Sequence, residues 1–358
     1  MSPVSRRILI TGLDTFWGGR TAQALENDPE VDMVLGMGRR EPSVTLERTE
    51  YVRADPTYSI LSRIVKATQV DTVIHTFLIV DSTQVSGRTL HEINVIGTMN
   101  LLAAAGQAGS SVRHVVVKSS TLVYGASSHD PFWFREEHRR SFPPRTRVER
   151  SLLEVESLVH DFAEDNPATL VSILRFANVL GTDIVTPISA NLARRLAPTI
   201  AGFDPLLQFV EEDDVIRCLE HVIRHRVRGT YNVAGDGKIP WHEVIALAGA
   251  VSLPLPPVGT ALAAAPLARL GLVDFPPEMG DLLRFGRGVD TTRLKETGFR
   301  LTHTTAGAID SFVQALRLRR AVGSAPPAYT FDQDVEQFFR HSSAVVHPVD
   351  GTGRRSPS

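Results

Sequence analysis

The sequence is poor in cysteine, in lysine and in long apolar runs, and each shortage excludes a class of protein. Its 358 residues hold one cysteine, Cys218, so an internal disulfide and a cysteine-based zinc site are excluded and a cytoplasmic location is expected. The absence of any run of about 18 apolar residues excludes a membrane-spanning helix. Acidic and basic residues nearly balance, at 40 and 38, so we expect no nucleic-acid partner. Only four of the basic residues are lysines, which restricts the choice of a catalytic amine.

Short β-branched runs alternate with helical patterns through the first half of the chain, which is typical of βαβ units. Strands are predicted at 7–11, 31–37, 50–53, 71–75, 112–119, 170–176 and 230–234. Helices are predicted between them at 17–26, 60–67, 89–106 and 148–163. This order predicts an α/β protein, with a Rossmann-like doubly wound parallel sheet and a smaller C-terminal cap.

The predicted domains follow from where this alternation loosens. The Rossmann domain takes residues 1–180, with 203–236 returning to it, and the substrate or cap region takes 181–202 and 237–320. The Pro-, Ala- and Leu-rich stretch 253–272 is interpreted as a packed cap helix with its entry loop rather than a membrane-surface segment. Residues 341–358 are rich in Ser, Pro, Gly and Arg, and we expect them to be disordered.

A glycine-containing loop joins the first strand to the first helix. Gly12 and Gly18 allow a tight turn and a close approach of the helix, whose N-terminus offers N–H groups to a pyrophosphate. Segment 11–19 resembles the Thr-Gly-x-x-Gly-x-x-Gly loop of extended short-chain dehydrogenases/reductases, with Thr15 in place of the middle glycine. The Thr15 side chain either crowds the phosphate or donates a hydrogen bond from its hydroxyl to a phosphate oxygen. A strand–turn–helix without any ligand is the alternative interpretation.

Further segments resemble the NAD-dependent epimerase/dehydratase family, which includes the UDP-glucose 4-epimerases, in the same order along the chain. They are 73–77, 94–102, 118–125, 174–181, 209–215, 229–235 and 289–294. The resemblance implies a nicotinamide cofactor, a small substrate of the nucleotide-sugar kind and a homodimer. The cofactor-binding residues that it implies, with the glycine loop included, are Gly12, Thr15, Phe16, Trp17, Gly18, Asp55, Pro56, Thr76, Phe77, Asn94, Ser119 and Asn178.

The end of the second strand bears on which dinucleotide is bound. NAD-binding relatives place an acidic residue there, which accepts hydrogen bonds from the adenosine ribose. Gly38 occupies that position here, and Arg39 and Arg40 follow it. Guanidinium groups bind a 2′-phosphate bidentately, so the sequence predicts NADP, with NAD the alternative if both arginines are solvated loop residues.

The Tyr-x-x-x-Lys pair that the resemblance implies for proton transfer is missing. In the best register Val148 and Leu152 hold the two positions, and in a register shifted by two residues Thr146 and Arg150 do. Valine and leucine cannot transfer protons. If positions 148 and 152 face a polar pocket, tyrosine and lysine would be tolerated there.

Few other residues are candidates for catalysis. Ser120 matches the family's substrate-orienting Ser/Thr, and Tyr124 is a weak candidate without its lysine. The cluster 136–138 (Glu-Glu-His) is interpreted as an acid/base pair, as metal ligands, or as a solvated charged loop, and no metal site is expected. Two hypotheses follow. The chain is an atypical oxidoreductase or epimerase (isomerase), or it is an inactive NADP-binding sensor or scaffold.

Overall fold

The computed structural model describes residues 6–322, except residue 84, together with 333–334. The predicted disordered tail, 341–358, therefore lies outside the described residues. The first part of the chain contains β1 (Arg6–Thr11), α1 (Phe16–Glu26), β2 (Val31–Gly38), β3 (Glu50–Arg53), α2 (Tyr58–Thr68), β4 (Thr72–His75), α3 (Gly87–His91), α4 (Gly97–Gly106), β5 (His114–Ser120), α5 (Arg147–Asp165), β6 (Leu170–Phe176) and β7 (Asn178–Leu180).

The second part contributes shorter elements. They are α6 (Pro187–Arg194), β8 (Leu196–Ile200), β9 (Leu206–Leu207), β10 (Phe209–Glu211), α7 (Glu212–His225), β11 (Gly229–Val233), β12 (Ile239–Pro240), α8 (Trp241–Leu247), β13 (Val251–Leu255), α9 (Thr260–Arg269), α10 (Pro277–Phe285), α11 (Thr292–Glu296), α12 (Thr305–Val322) and β14 (Gln333–Asp334).

The central sheet is parallel throughout its described part, in the order β11-β6-β5-β4-β1-β2-β3-β14. The strand order reverses direction between β1 and β4, and open α/β sheets bind ligands outside the carboxyl ends of the strands at such a point. The predicted doubly wound α/β fold is therefore confirmed.

The central strands are buried on both faces because helices cover the sheet on both sides, and their sequences are accordingly apolar and β-branched. Val115 and Val117 of β5 pack into the cluster that includes α2, α4 and α5. Val116 faces the opposite cluster, formed with α1 and α7. This alternation determines which residues of β5 can share a face.

A third apolar cluster lies outside the sheet and is centred on Trp241, Phe209 and Leu283. Most of its residues come from α6, β8, α8, α10 and α12. This cluster places the first turns of α6 and α10 near the carboxyl edge of the sheet, where both line a cleft described below.

Two local predictions need correction. The helix predicted at 89–106 begins at Gly87, after the cap residue Ser86, and a π-helical segment at Glu92–Ile96 separates α3 from α4. The packed cap helix predicted within 253–272 is wrong in part, because β13 pairs with β8, Leu262 of α9 is exposed, and so is Leu270 directly after that helix. Across the described residues, no helix combines the length and the apolar composition needed to cross a membrane.

Candidate cofactor and active site

The glycine loop folds into a cradle that side chains would fill. Gly12 has φ +84°, and a Cβ there would lie 2.6 Å from Phe77 Cβ. A Cβ on Gly18 would lie 2.1 Å from the Gly12 carbonyl oxygen. Both glycines are therefore required by the close approach of α1 to the end of β1.

Thr15 caps α1. Its hydroxyl accepts a hydrogen bond from Gly18 N at 3.1 Å and donates to Gly12 O at 2.6 Å. The hydroxyl proton is thus engaged within the loop. Phe16 and Trp17 follow in the first turn, where backbone N–H groups have no intrahelical acceptor and are available to an anion.

A carboxylate occupies the space beside Gly38, although β2 itself ends without one. An added Cβ on Gly38 would lie 2.5 Å from Asp14 Oδ1, and Asp14 Oδ2 accepts from the backbone N–H groups of Arg39 and Arg40 at 3.2 Å each. Arg39 forms a 2.6 Å ion pair with Asp55. The Arg40 side chain is 87% exposed and lies 4.0 Å from Asp14, so it is the more available of the two guanidinium groups.

A cleft of about 410 Å³ lies along the carboxyl edge of the sheet, between the glycine loop and the cap. The cleft wall on the sheet side comes from the ends of β1, β4, β5 and β6, and the opposite wall comes from α6 and α10. Of the predicted residues, those that line it are Thr15, Phe16, Trp17, Arg40, Thr76, Phe77, Ser119, Ser120 and Asn178.

Other predicted residues support the cleft from behind. Asn94 is buried and binds both backbone groups of Ile79, at 2.8 and 2.9 Å, and also contacts Ser151 Oγ at 3.1 Å. It therefore fixes the segment after β4, which lines the cleft. Pro56 accepts a hydrogen bond from Asn100 and lies, with Asp55, outside the cleft lining.

Ser119 and Ser120 point to opposite faces of β5. Ser119 Oγ donates to Glu156 at 2.6 Å, and Glu156 forms a buried ion pair with Arg175 at 2.5 Å. The Ser120 hydroxyl accepts from Leu122 N at 3.3 Å and lines the cleft. Ser120 thus faces the cleft, whereas the hydroxyl of Ser119 is held by Glu156 of α5.

Tyr124 is buried and lies outside the cleft lining. Its hydroxyl is within 2.8 Å of Asn232 Oδ1 and accepts from Arg175 at 2.7 Å, while its ring stacks on Phe134. Burial raises the pKa of Tyr124 to about 12. A phenol in this environment is a structural hydrogen-bonding group.

Positions 148 and 152 face the protein core and not a polar pocket. Val148 and Leu152 are both fully buried in the apolar cluster that contains Leu90 and Val95. In the alternative register, Thr146 caps α5 and Arg150 is exposed. Neither pair lines the cleft. The polar pocket on which tolerance of tyrosine and lysine at 148 and 152 was conditional is therefore not found there.

Lys118 lines the cleft and was not among the predicted site residues. Its Nζ lies 4.7 Å from the ring centroid of Trp17 and 5.4 Å from that of Phe176. Burial lowers the pKa of Lys118 to about 7. Lys118 and Ser120 are two residues apart on β5, so their side chains lie on the same face of the strand. This spacing from Ser120 is the sequence signal that could have identified Lys118 as a site residue.

The cap contributes an acidic group to the same cleft. Glu278, in the first turn of α10, accepts from Ser82 N at 2.8 Å and from Ser82 Oγ at 2.9 Å. Burial raises its pKa. Elsewhere, Glu136 accepts from Asn232 N at 2.8 Å, and the described residues contain no group of three or more acidic, His or Cys side chains suited to a metal.

Comparisons with known proteins agree with this architecture. The model of the NAD dependent epimerase/dehydratase family matches residues 8–234. Two mycobacterial relatives, Mb0513 of Mycobacterium bovis and Rv0501 of Mycobacterium tuberculosis, are each 34% identical over 312 residues, which cover 85% of this chain and 82% of theirs. Both are described as uncharacterized proteins.

Solved structures share the fold at lower identity. The UDP-glucose 4-epimerase of Thermotoga maritima, solved with UDP-glucose, superposes with a TM-score of 0.68 and 17% identity over 88% of this chain and 99% of that one. The dTDP-glucose 4,6-dehydratase DesIV of Streptomyces venezuelae, solved with NAD, gives 0.66 and 22% over 88% and 98%. The family match, the relatives and the parallel sheet agree: the chain belongs to the NAD-dependent epimerase/dehydratase family, with the fold of the extended short-chain dehydrogenases/reductases.

Proposed function

We propose that the chain binds a nicotinamide dinucleotide in the cleft, NADP in preference to NAD, and acts on a hydroxyl-bearing substrate of the nucleotide-sugar class. The observation that carries the proposal is the glycine cradle at the start of α1, which opens into a cleft at the reversal point of the sheet. The names of neighbours solved with UDP-glucose, or with UDP-glucuronic acid and NAD, support the ligand class.

The residues present fit such a ligand from one end of the cleft to the other. The N–H groups of Phe16 and Trp17 bind the pyrophosphate, because no side chain at Gly12 or Gly18 blocks its approach. Arg40 binds a 2′-phosphate at the β2 end. The cofactor, when bound, accepts or returns a hydride, and Ser120 orients the substrate hydroxyl near the end of β5.

The preference for NADP depends on opposite charges at the β2 end. Replacing Arg39 and Arg40 together by alanine is expected to weaken NADP binding by about 1.5–3 kcal/mol, the value of a charged hydrogen bond, and to leave NAD nearly unchanged. Asp14→Asn removes a neighbouring carboxylate and should strengthen NADP binding. Calorimetric titration of the three proteins, the unmutated one included, with both dinucleotides measures these effects. Equal affinities of the unmutated protein for NADP and NAD would contradict the preference.

A second function, dinucleotide binding without turnover, is favoured by one observation. Val148 and Leu152, to which the resemblance assigns the family's tyrosine and lysine positions in its best register, are buried in the core. Loss of a general base costs about 10²–10⁴-fold in rate. A sensor or scaffold needs the cleft but no proton-transferring pair.

We therefore expect negligible interconversion of UDP-glucose and UDP-galactose, even with cofactor bound. The measurement is NMR of the sugar anomeric signals after prolonged incubation, with Ser120→Ala as the matched variant. Robust turnover that persists in Ser120→Ala would show that the assigned site is wrong. Turnover that Ser120→Ala abolishes would instead place another proton-transferring group beside Ser120.

A further inference from the structure

Lys118 is a buried amine that faces the cleft without a counter-ion. The whole residue is 6% exposed, and its ammonium group lies between the ring faces of Trp17 and Phe176. Within the described part of the chain it forms neither an ion pair nor a hydrogen bond, which a lysine this buried ordinarily requires. A charged group that interacts with this amine would therefore approach it from the cleft.

We propose that Lys118 makes the cleft's preference between oxidised and reduced dinucleotide depend on pH, an inference that rests on the dinucleotide binding proposed above. In this proposal, the adenosine half of the dinucleotide binds at the β2 end of the cleft, and the pyrophosphate binds at the start of α1. The nicotinamide half then extends across the reversal point towards β5 and β6, the strands that carry Lys118 and Phe176.

The nicotinamide ring is a cation when oxidised and neutral when reduced, so only the oxidised form is repelled by an ammonium group. With a pKa of about 7, Lys118 changes charge near neutral pH. Acidification should therefore weaken binding of the oxidised form and spare the reduced form. By linkage, binding of the oxidised form should release a fraction of a proton.

Among the other charged groups in the cleft lining, Glu278 is the one whose effect the test must separate from that of Lys118. Asp14 and Arg40 lie at the adenosine end, and Asp81 accepts hydrogen bonds from Thr83. Glu278 is the remaining candidate, because its pKa is raised by burial. On the strand beside β5, burial lowers the pKa of His75 to about 3, so that ring stays neutral throughout the relevant range.

The test measures the dissociation constants of NADP⁺ and NADPH, with NAD⁺ and NADH in parallel, at about pH 6 and about pH 9. The ratio of the oxidised to the reduced constant cancels any titration of the 2′-phosphate, which both forms carry. We expect this ratio to fall about tenfold over that range, the effect of a one-unit pKa coupling. Lys118→Met should make the ratio constant within about twofold.

Lys238→Met is the matched control. Burial lowers the pKa of Lys238 to about 8, and its amine lies over Phe132 and Trp133, outside the cleft lining. This variant should keep the pH dependence, and Glu278→Gln should keep it too. A ratio that does not change with pH in the unmutated protein, or that still changes in Lys118→Met, would overturn the inference. Absence of binding at both pH values would instead overturn the proposed function and the inference with it.

Amine labelling gives a second measurement that needs no ligand. Acetylation of Lys118, followed by peptide mass spectrometry, should show a midpoint near pH 7, and labelling of the exposed Lys66 in the same samples serves as the reference for total reactivity. Excess NADP should protect Lys118 and not Lys66. A labelling midpoint for Lys118 above about pH 9, or failure of NADP to protect Lys118 in a protein that binds it, would overturn the inference even if Lys118→Met does not fold.

Discussion

Leu152→Lys is expected to destabilise the protein by about 4 kcal/mol or more, and not to restore catalysis. Leu152 is fully buried in the cluster formed by α5, α4 and the sheet, and it does not line the cleft. The two buried carboxylates one turn away on α5, Glu149 and Glu156, already pair with Arg140 and Arg175. A lysine at 152 must therefore either bury a charge without a partner of its own or lose its proton at a cost. Urea unfolding monitored by circular dichroism measures the change in the free energy of unfolding.

Leu152→Met is the control, because it conserves volume and polarity and should cost less than about 1.5 kcal/mol. Val148→Tyr should also destabilise the protein, since the site must accept a ring and a hydroxyl in place of an isopropyl group. A stable Leu152→Lys, Val148→Tyr double variant with new epimerase activity would contradict the placement of both residues in the core.

Lys118→Met is expected to stabilise the protein by about 3 kcal/mol at neutral pH. The difference between a pKa of 10.5 in the unfolded chain and about 7 in the folded one corresponds to roughly 4–5 kcal/mol at about 1.4 kcal/mol per unit. This net cost already includes the contacts of the ammonium with the Trp17 and Phe176 rings, and we expect methionine to recover the larger part of it. Methionine is apolar, retains the length of the side chain and also packs well against aromatic rings.

The stabilisation by Lys118→Met should itself depend on pH. The folded pKa is lowered, so the unfolded state binds more protons between about pH 7 and pH 10.5, and the stability of the unmutated protein rises with pH through that window. Below pH 7 the Lys118 amine is protonated in both the folded and the unfolded state, so the full free-energy cost of burying its charge remains. Denaturant unfolding at about pH 6 and about pH 10 should therefore show a larger gain for the variant at pH 6. A gain independent of pH would show that Lys118 is not the group responsible.

The parts of the fold predicted correctly are those that depend on local patterns. The strand predicted at 170–176 is β6, and the turn at Gly12 and Gly18 is the cradle expected from the sequence. The sequence alone also shows that no Tyr-x-x-x-Lys is present, whereas the assignment of its two positions to 148 and 152 stays a prediction. The burial of Val148 and Leu152 could not be predicted, because the side of α5 that faces the core depends on what packs against it.

The unpredicted features involve residues distant in sequence. The Asp14 carboxylate fills the space beside Gly38, although 24 positions separate the two residues in the sequence. The sequence of β2 alone therefore shows no acidic residue at that place. Lys118 lies within a matched motif, but its depressed pKa arises from burial beside Trp17 and Phe176, which come from α1 and β6. A linear pattern gives the type of a residue and not the environment that sets its proton affinity.

Calorimetric titration of the unmutated protein with NADP and with NAD tests the central claim, that the cleft holds a dinucleotide. The account predicts one binding site per chain for NADP, with a dissociation constant of about 1–100 µM, and weaker binding of NAD. Absence of measurable heat and of any change in tryptophan fluorescence, with either dinucleotide at about 1 mM, would contradict it.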